Sequence, residues 1–312
     1  LLAAAVFIAI PRKWMNRIEL LLAQVRQDHI YEELTAKDRM LLILGGYLET
    51  FEKLAGLYRN SRGRNSIISL QFRGMAKVTR TLMESLSAPE TSVHTAKEKY
   101  GICVGVSGYA KEKAVSSDSY ICADLKDGEF MIALSDGMGK GESAYRESAL
   151  TVTSLYYLIK AGFDVELALK TINSLLLFNS TEEIFATVDL GLFNKTTGKM
   201  KLFKIGAAAT FIKRADKVET IKVSALPMGI VDGIRINYIE LQTRKGDEIV
   251  IVSDGITEAD RSDVQMEWIK ETIANIRSRD PQTMSDLIVN KALERYGLKE
   301  KDDMTVITAV IT

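Results

Sequence analysis

The 312-residue sequence is poor in the residues that bind soft metals or form disulfide bonds, since it has only two cysteines and two histidines. Cys103 and Cys122 lie in apolar runs, without the spacing of a zinc motif or a disulfide framework. We therefore predict two buried, reduced thiols. His29 and His94 lie away from every acidic motif described below. A metal ion in this chain would consequently be bound by oxygen atoms.

The sequence also lacks an excess of charge of either sign. Lysine and arginine together number 41, as do aspartate and glutamate, so no overall field attracts the chain to nucleic acid. We predict no nucleic-acid partner. Hydrophobic residues make up 46% and charged residues 26%, which is ordinary for a globular protein. The length predicts one full-sized core with a smaller appendage.

The first ten residues are apolar but too few to cross a bilayer, which takes about 20 residues. They are followed by Pro11, Arg12, Lys13 and Trp14, a combination typical of a membrane interface. The basic residues follow the apolar run, which disfavours a signal peptide. We interpret residues 1–10 as the end of a transmembrane segment rather than as part of a buried helix. This predicts a protein anchored in the cell membrane, with its remaining residues in the cytoplasm.

Residues 11–88 have the pattern of a helical linker or regulatory region. Apolar residues recur at alternating steps of three and four, which is the spacing of a coiled-coil seam. This seam consists of Leu41, Leu44, Leu48, Phe51, Ala55 and Tyr58. It predicts either self-association through the helical region or packing of one amphipathic helix on its own domain, and the sequence leaves both open. Pro89 marks the end of this region.

Residues 89–312 change to short strand-like runs and predict a domain of their own. Turn residues join several runs directly, which indicates antiparallel pairing. The pattern predicts an α+β fold, an antiparallel β-sandwich flanked by helices. The predicted strands are 102–106, 120–123, 130–134, 185–193, 200–205, 210–213, 238–241, 248–252 and 304–311, and the predicted helices are 143–160, 165–177 and one from Asp280 to Gly297.

Three acidic motifs adjoin apolar strands in this domain. They are Ser135-Asp136-Gly137, Ser253-Asp254-Gly255 and Asp302-Asp303-Met304-Thr305. One Asp-Gly pair after a strand is usually a simple turn, but three such motifs would bring carboxylates to one rim of the sandwich. Carboxylates gathered in this way repel one another unless a cation compensates. Ligation by oxygen alone suits Mg²⁺ or Mn²⁺.

The order Ser-Asp-Gly-Met-Gly, Ser-Asp-Gly and Asp-Asp-Met-Thr resembles the metal-dependent protein phosphatases of the PPM family. More narrowly, the segments 135–141, 226–230 and 252–256 resemble the sporulation phosphatases of that family. The resemblance covers about residues 100 to 312. It implies the αββα sandwich of the family and hydrolysis of phosphoserine or phosphothreonine in proteins, with two Mn²⁺ or Mg²⁺ ions.

The resemblance also implies roles for individual residues. Asp136 would bridge both ions, Gly137 would bind one through its carbonyl, and Asp254 and Asp302 would complete the ligands of the first ion. Asp118 matches an early acidic position of the family, although Ser117 replaces the usual glycine before it. We thus predict Asp136, Asp254 and Asp302 as catalytic residues, and these three with Asp118 and Gly137 as metal ligands.

Three further expectations concern neighbouring residues. Asp303 would lie behind the ligands or at the surface. Met138 stands where some family members carry a histidine suited to protonating the leaving group, so that group is not assigned here. The helix that starts near Ser143 follows the glycine-rich loop directly, and in related bacterial phosphatases this element resembles a switch.

The resemblance implies partners as well: a phosphorylated anti-anti-sigma factor in sporulation control as substrate, and cell-division proteins. Two other functions compete with this interpretation. A membrane-tethered scaffold with a degenerate phosphatase fold would have no use for a repulsive acidic cluster. A two-metal nucleotidyl cyclase would also use paired aspartates, but the sequence has no evident base-recognition element.

Overall fold

The computed structural model describes residues 36–58, 64–87, 98–111, 116–138, 141–178, 185–231, 234–260, 266–298 and 301–312. The predicted membrane segment at 1–10 lies outside these residues. Within them, no helix has the length and apolar character needed to span a bilayer. The chain divides into two compact units, Leu1–His94 with Tyr157–Thr171, and Thr95–Tyr156 with Ile172–Thr312.

The first unit contains a hairpin of two helices, α1 (Ala36–Leu57) and α2 (Arg64–Ser87). The predicted helical character is therefore confirmed for the described part of residues 11–88. The C-terminal half of the predicted seam packs against α2, where Phe51 and Tyr58 each stack on Phe72 with ring centroids 6.3 Å apart. Ser69 Oγ of α2 donates a hydrogen bond to the carbonyl of Ala55 (2.7 Å). At least this half of the seam is covered within one chain.

The second unit is built on two antiparallel sheets. One has the strand order β1-β11-β10-β7-β8, and the other has β2-β3-β5-β6-β9 with β4 paired to β3. The strands are β1 (Ile102–Tyr109), β2 (Asp118–Asp124), β3 (Glu129–Met138), β4 (Phe185–Ala186), β5 (Val188–Asn194), β6 (Lys199–Ile205), β7 (Thr210–Arg214), β8 (Lys217–Ile221), β9 (Tyr238–Gln242), β10 (Glu248–Val252) and β11 (Met304–Ile311). The remaining helices of the chain are α3 (Gly141–Lys160), α4 (Val165–Phe178), α5 (Asp254–Thr257), α6 (Glu267–Asn275) and α7 (Pro281–Tyr296).

Apolar residues fill the space between the two sheets. Ile132 and Leu134 of one sheet pack against Ile249, Ile251 and Ile307 of the other. A second core lies on the outer face of the five-stranded sheet, where residues of α6 and α7 pack on the alternate residues of β10 and β11. All five residues of β10 are buried because both faces of this strand are covered. The predicted α+β sandwich is confirmed.

Three elements of this unit were not predicted from the sequence: β8, α5 and α6. Strand β8 lies at a sheet edge, and its five residues are exposed or half-buried, so it has no apolar run to reveal it. Helix α5 forms where an Asp-Gly turn was expected. The predicted caps of the last helix are confirmed, since Asp280 Oδ2 accepts a hydrogen bond from Thr283 N (2.8 Å) and Gly297 follows the final turn.

The prediction that both thiols are buried is wrong for Cys103, which is exposed on the edge strand β1. Cys122 is half-buried, and burial raises the pKa of its thiol to about 12. Cys103 pairs with Val310 near the end of β11, whereas the third acidic motif precedes the start of that strand. The rise of about 3.3 Å per residue thus separates Cys103 from that motif by roughly 20 Å.

We therefore expect iodoacetamide to modify Cys103 without lowering any activity of the acidic motifs. Mass spectrometry would identify the modified residue, and the Cys103→Ser variant serves as the unreactive control. Loss of activity in the wild type, but not in this variant, would place Cys103 near the chemistry after all.

Candidate metal centre

The first acidic motif lies on β3, beside β2. Asp136 is the direct partner of Asp118 in the antiparallel pairing of the two strands. Asp118 is only 7% exposed, and neither of its carboxylate oxygens accepts a hydrogen bond of ordinary geometry from the described residues. The backbone N–H of Asp136 donates to Thr187 Oγ1 (3.0 Å), which fixes this end of the strand. Two predicted ligands are thus side by side, and one of them has free, buried oxygens.

Gly137 allows a close approach of α3 to the backbone of β3. Strand β3 continues through Met138, where its last two residues pair with β4. A Cβ atom at Gly137 would lie 1.9 Å from the backbone oxygen of Ala144, in the first turns of α3. Only glycine therefore lets α3 pack against the backbone directly after Asp136.

The second and third motifs are bound to each other. Ser253 N donates to the carbonyl of Thr305 (3.0 Å), and Thr305 N donates to Ser253 Oγ (2.9 Å). A Cβ atom at Gly255 would lie 2.0 Å from the backbone oxygen of Asp303, so this glycine also permits a close approach. These contacts hold the backbone after Asp254 against the segment that carries Asp302.

Asp303 joins the third motif to the strand that carries Asp118. Its Oδ2 accepts hydrogen bonds from Ser117 N (2.8 Å) and Ser117 Oγ (2.7 Å), and its Oδ1 accepts one from Lys111 N (2.7 Å). Both carboxylate oxygens of Asp303 therefore accept hydrogen bonds from the protein. Asp303 lies behind the predicted ligands, one of the two positions expected for it, and it fixes the position of Asp118 through the backbone.

The predicted ligands include four aspartates that interact electrostatically. We name them the aspartate rim: Asp118, Asp136, Asp254 and Asp302. Burial raises the pKa of Asp136 to about 8, and the charges of Asp118, Asp254 and Asp302 add to this effect. Burial also raises the pKa of Asp118 to about 7, partly offset by the hydroxyl groups of Thr305 and Ser253. Desolvation by the surrounding protein raises the pKa of Asp254, although the residue is exposed, and the charges of Glu258 and Asp302 add to this effect. The structure thus places the carboxylates of Asp118, Asp254 and Asp302 within electrostatic range of Asp136.

These residues fit a divalent cation. Asp118 offers two buried carboxylate oxygens that lack donors, and the rim carries repulsion that a cation would relieve. In the part of the chain that the structure describes, no three acidic, histidine or cysteine side chains are close enough to enclose an ion on their own. Protein-bound Mg²⁺ commonly keeps several water ligands and needs only one or two carboxylates, an arrangement compatible with this rim.

The raised pKa values predict how the metal-free protein responds to pH. Since the pKa of Asp136 is about 8 and that of Asp118 about 7 in the fold, against a normal value of 3.8, the folded state binds more protons between these limits than the unfolded chain. The stabilisation is complete below about pH 3.8 and is lost as the pH rises through 7 and 8. We expect chelator-treated protein to melt at a lower temperature at about pH 8.5 than at about pH 5.5.

Adding Mn²⁺ should raise the melting temperature more at the higher pH, because the ion neutralises ionised carboxylates. Asp136→Asn should reduce the pH dependence of the metal-free protein, which provides the control. An equal pH dependence in this variant would show that Asp136 does not titrate as the fold implies.

Several polar residues beneath the rim were missed by the sequence reasoning. Thr187 and Asp189 lie two positions apart in the segment 185–193, which was predicted simply as an apolar strand. Two polar residues at alternate positions of an otherwise apolar strand could have indicated a polar site on one of its faces. Both line a cavity of about 10 Å³ together with Asp136, Ser253 and Asp254.

Known sequences resemble the same part of the chain. The sequence model of the stage II sporulation protein E family matches residues 126–312. A curated stage II sporulation protein E from Priestia megaterium is 38% identical over 213 residues, which make up 67% of this chain and 36% of that protein. The chain thus spans about a third of the length of that relative.

Solved structures share the fold. The PP2C phosphatase domain of SpoIIE from Bacillus subtilis, with a fragment of its regulatory domain, is 32% identical with a TM-score of 0.64, over 69% of this chain and 64% of that one. The catalytic domain of the serine/threonine phosphatase PstP in complex with two manganese ions is 16% identical with a TM-score of 0.53, over 68% of this chain and 99% of that one. The second unit therefore has the PP2C-type fold.

Proposed function

The chain belongs to the stage II sporulation protein E family, and we propose that it is a protein serine/threonine phosphatase that uses two Mn²⁺ or Mg²⁺ ions. The observation that carries this proposal is the aspartate rim, where burial and neighbouring carboxylates raise the pKa values of Asp118, Asp136 and Asp254. A relative of the same fold was solved with two manganese ions, which supports a site for two.

Each predicted ligand has a distinct part in the proposed site. Asp136 would bind both ions, with the carbonyl of Gly137 and the carboxylates of Asp118, Asp254 and Asp302 as further ligands. When bound, the ions lower the pKa of water and neutralise charge on phosphoryl oxygens. Thr187 holds the backbone of Asp136, and Asp303 holds the strand end that carries Asp118. The protein thus contributes fixed carboxylates, and its cysteines have no part in the reaction.

We propose a phosphorylated anti-anti-sigma factor in sporulation control as the substrate, which the family membership supports. The test is phosphate release from that phosphoprotein by the full chain, with and without Mn²⁺, beside an unrelated phosphoserine protein. Release only with metal supports the enzyme, and preference for the first substrate supports the assignment. Binding without release, at any Mn²⁺ concentration, would favour the scaffold instead.

We also propose that the whole protein is anchored in the cell membrane by the segment that ends at residues 1–10, with the phosphatase domain in the cytoplasm. Cell-division proteins are further proposed partners, on the family membership alone. Fractionation of cells that produce the full-length protein tests the anchor, and its recovery without detergent would contradict it.

We further propose that the N-terminal half of the seam mediates self-association and thereby regulates the phosphatase. Leu44 and Leu48 are half-buried and lie outside the cluster that joins α1 to α2. Changing both to Gln should lower the molar mass measured by light scattering, because a second copy would lose its apolar contact. Leu42→Gln is the matched control, since Leu42 lies off the seam and is 47% exposed. An unchanged mass and an unchanged metal dependence of phosphate release would refute this role.

A further inference from the structure

A buried ion pair lies inside the sandwich. Asp189 of β5 and Lys204 of β6 are direct partners in their antiparallel pairing, and their side chains are 1% and 0% exposed. Lys204 Nζ donates to Asp189 Oδ2 and to Thr210 Oγ1, the latter at 2.8 Å. Thr210 Oγ1 in turn donates to Asp189 Oδ2 (3.1 Å). Because Thr210 belongs to β7, this network joins the two sheets across their interior.

The network lies directly beneath the aspartate rim. Asp189 is also the partner of Leu134 on β3, two residues before Asp136. Opposite residues in a pair share a face of the sheet, and alternation returns to that face every second residue. Asp189 and Asp136 therefore point into the same interior. Asp189 lies two residues further along the strand direction than Asp136, or about 6.6 Å.

One oxygen of this pair has no donor. Asp189 Oδ1 is buried and accepts no hydrogen bond from any described residue, although Oδ2 accepts two. Asp189 lines the cavity of about 10 Å³ that Asp136, Ser253 and Asp254 also line. That volume is about what one water molecule needs. A buried carboxylate oxygen left without a donor is costly, and an ordered water removes this cost.

We propose that this cavity holds one water molecule and that Asp189, Lys204 and Thr210 form a positioning network for the aspartate rim. The water donates one hydrogen to Asp189 Oδ1 and the other to the carboxylate of Asp136 or Asp254. Lys204 and Thr210 fix Asp189, so the water and the carboxylate above it are fixed in turn. The inference rests on the proposed function, because it assigns the network a role in holding the metal ligands.

The chain contains a matched pair for comparison. Lys213 of β7 and Glu248 of β10 are also a buried lysine and carboxylate (3.2 Å), and Lys213 also donates to the carbonyl of Ile276 (2.7 Å). Glu248 is at the start of β10, whereas Asp254 follows its end. At about 3.3 Å per residue, the second pair lies roughly 20 Å from the rim. If Mn²⁺ binding depended only on the loss of a buried ion pair, removing either of the two pairs should weaken it equally.

The experiment compares two double variants of the full chain. Asp189→Leu with Lys204→Met removes the first pair, and Glu248→Leu with Lys213→Met removes the second, so neither leaves a lone buried charge. Mn²⁺ binding is measured by titration calorimetry, and phosphate release is measured against Mn²⁺ concentration. We expect Mn²⁺ to bind about 10 to 100 times more weakly to the first variant, as for other residues that orient metal ligands. The second variant should bind it as the wild type does.

Wild-type Mn²⁺ affinity in a folded first variant would overturn the inference, as would equal weakening in both variants. If the first variant fails to fold, the Thr210→Val variant tests the positioning network instead, because it replaces one hydroxyl group with a methyl group. The expected result for Thr210→Val is Mn²⁺ binding weakened several-fold, and unchanged affinity overturns the inference.

The wild type separates this inference from the proposed function. If the wild type neither binds Mn²⁺ nor releases phosphate, the proposed function fails and the inference fails with it. If it does both and the first variant matches it, only the positioning network fails.

Discussion

Asp136→Asn is expected to lower metal-dependent phosphate release by about 1,000-fold or more, the scale of loss when one member of a catalytic unit is removed. The substitution keeps the size of the side chain but removes the charge that would bind both ions. It also removes the residue whose pKa is raised to about 8 by burial and by the surrounding carboxylates. The metal-free variant should therefore melt at or above the temperature of the wild type at pH 8, while its Mn²⁺ binding is lost.

Asp124→Asn is the matched control for this variant. Asp124 ends β2, on the same pair of strands as Asp136 but at the opposite end, where its exposed carboxylate pairs with Lys195. Surface ion pairs contribute little to stability, so this control should retain normal activity and melting temperature. Normal phosphate release by Asp136→Asn would contradict the assignment of the metal centre.

The loss in Asp136→Asn should not add to the losses in Asp254→Asn or Asp302→Asn, since the rim acts as one unit. Asp118 was expected to matter less than the other three aspartates. Its burial beside Asp136, with both oxygens free of ordinary hydrogen bonds, favours a stronger role. A double variant of Asp118 and Asp136 that is no worse than Asp136→Asn alone would show this coupling.

The aspartate rim was predictable because each motif is local. Asp136, Asp254 and Asp302 each lie beside an apolar run that is recognisable as a strand in the sequence, so each of them can be assigned to the end of a strand. The buried network of Asp189, Lys204 and Thr210 was not predictable in the same way. It depends on the register between β5 and β6 and on a residue of the opposite sheet, and a single sequence contains neither kind of information.

The sandwich was predicted for a similar reason. Its buried strands carry continuous apolar runs, whereas the edge strand β8 has only two apolar residues, Val218 and Ile221, which are separated by two polar ones, and it was missed. The exposure of Cys103 was missed because an apolar run does not reveal which strand lies at an edge. For Cys103, the missing information concerned the strand β11, which is distant in the sequence.

Gly137→Ala tests the close approach of α3 to β3, which the sequence alone does not reveal, and we expect it to weaken Mn²⁺ binding and phosphate release at least tenfold. The added Cβ would lie 1.9 Å from the backbone oxygen of Ala144, so β3 or the first turns of α3 must shift. Overpacking of this kind costs about 1–3 kcal/mol of stability, and a shift of β3 displaces the adjacent Asp136. Adding Ala144→Gly should not rescue the variant, because the clash is with the main chain.

Gly46→Ala in α1 is the control for the substitution itself, since a Cβ there meets nothing within 4 Å. In a helix this change should be neutral or stabilise the chain by up to about 1 kcal/mol. Melting curves, Mn²⁺ titration and phosphate release on the three variants separate the effects. If Gly137→Ala binds Mn²⁺ and releases phosphate as the wild type does, then α3 does not pack against Gly137 when the enzyme acts. The packing seen here would then belong to a resting arrangement, and Asp136 would be positioned by β2 and Thr187 alone.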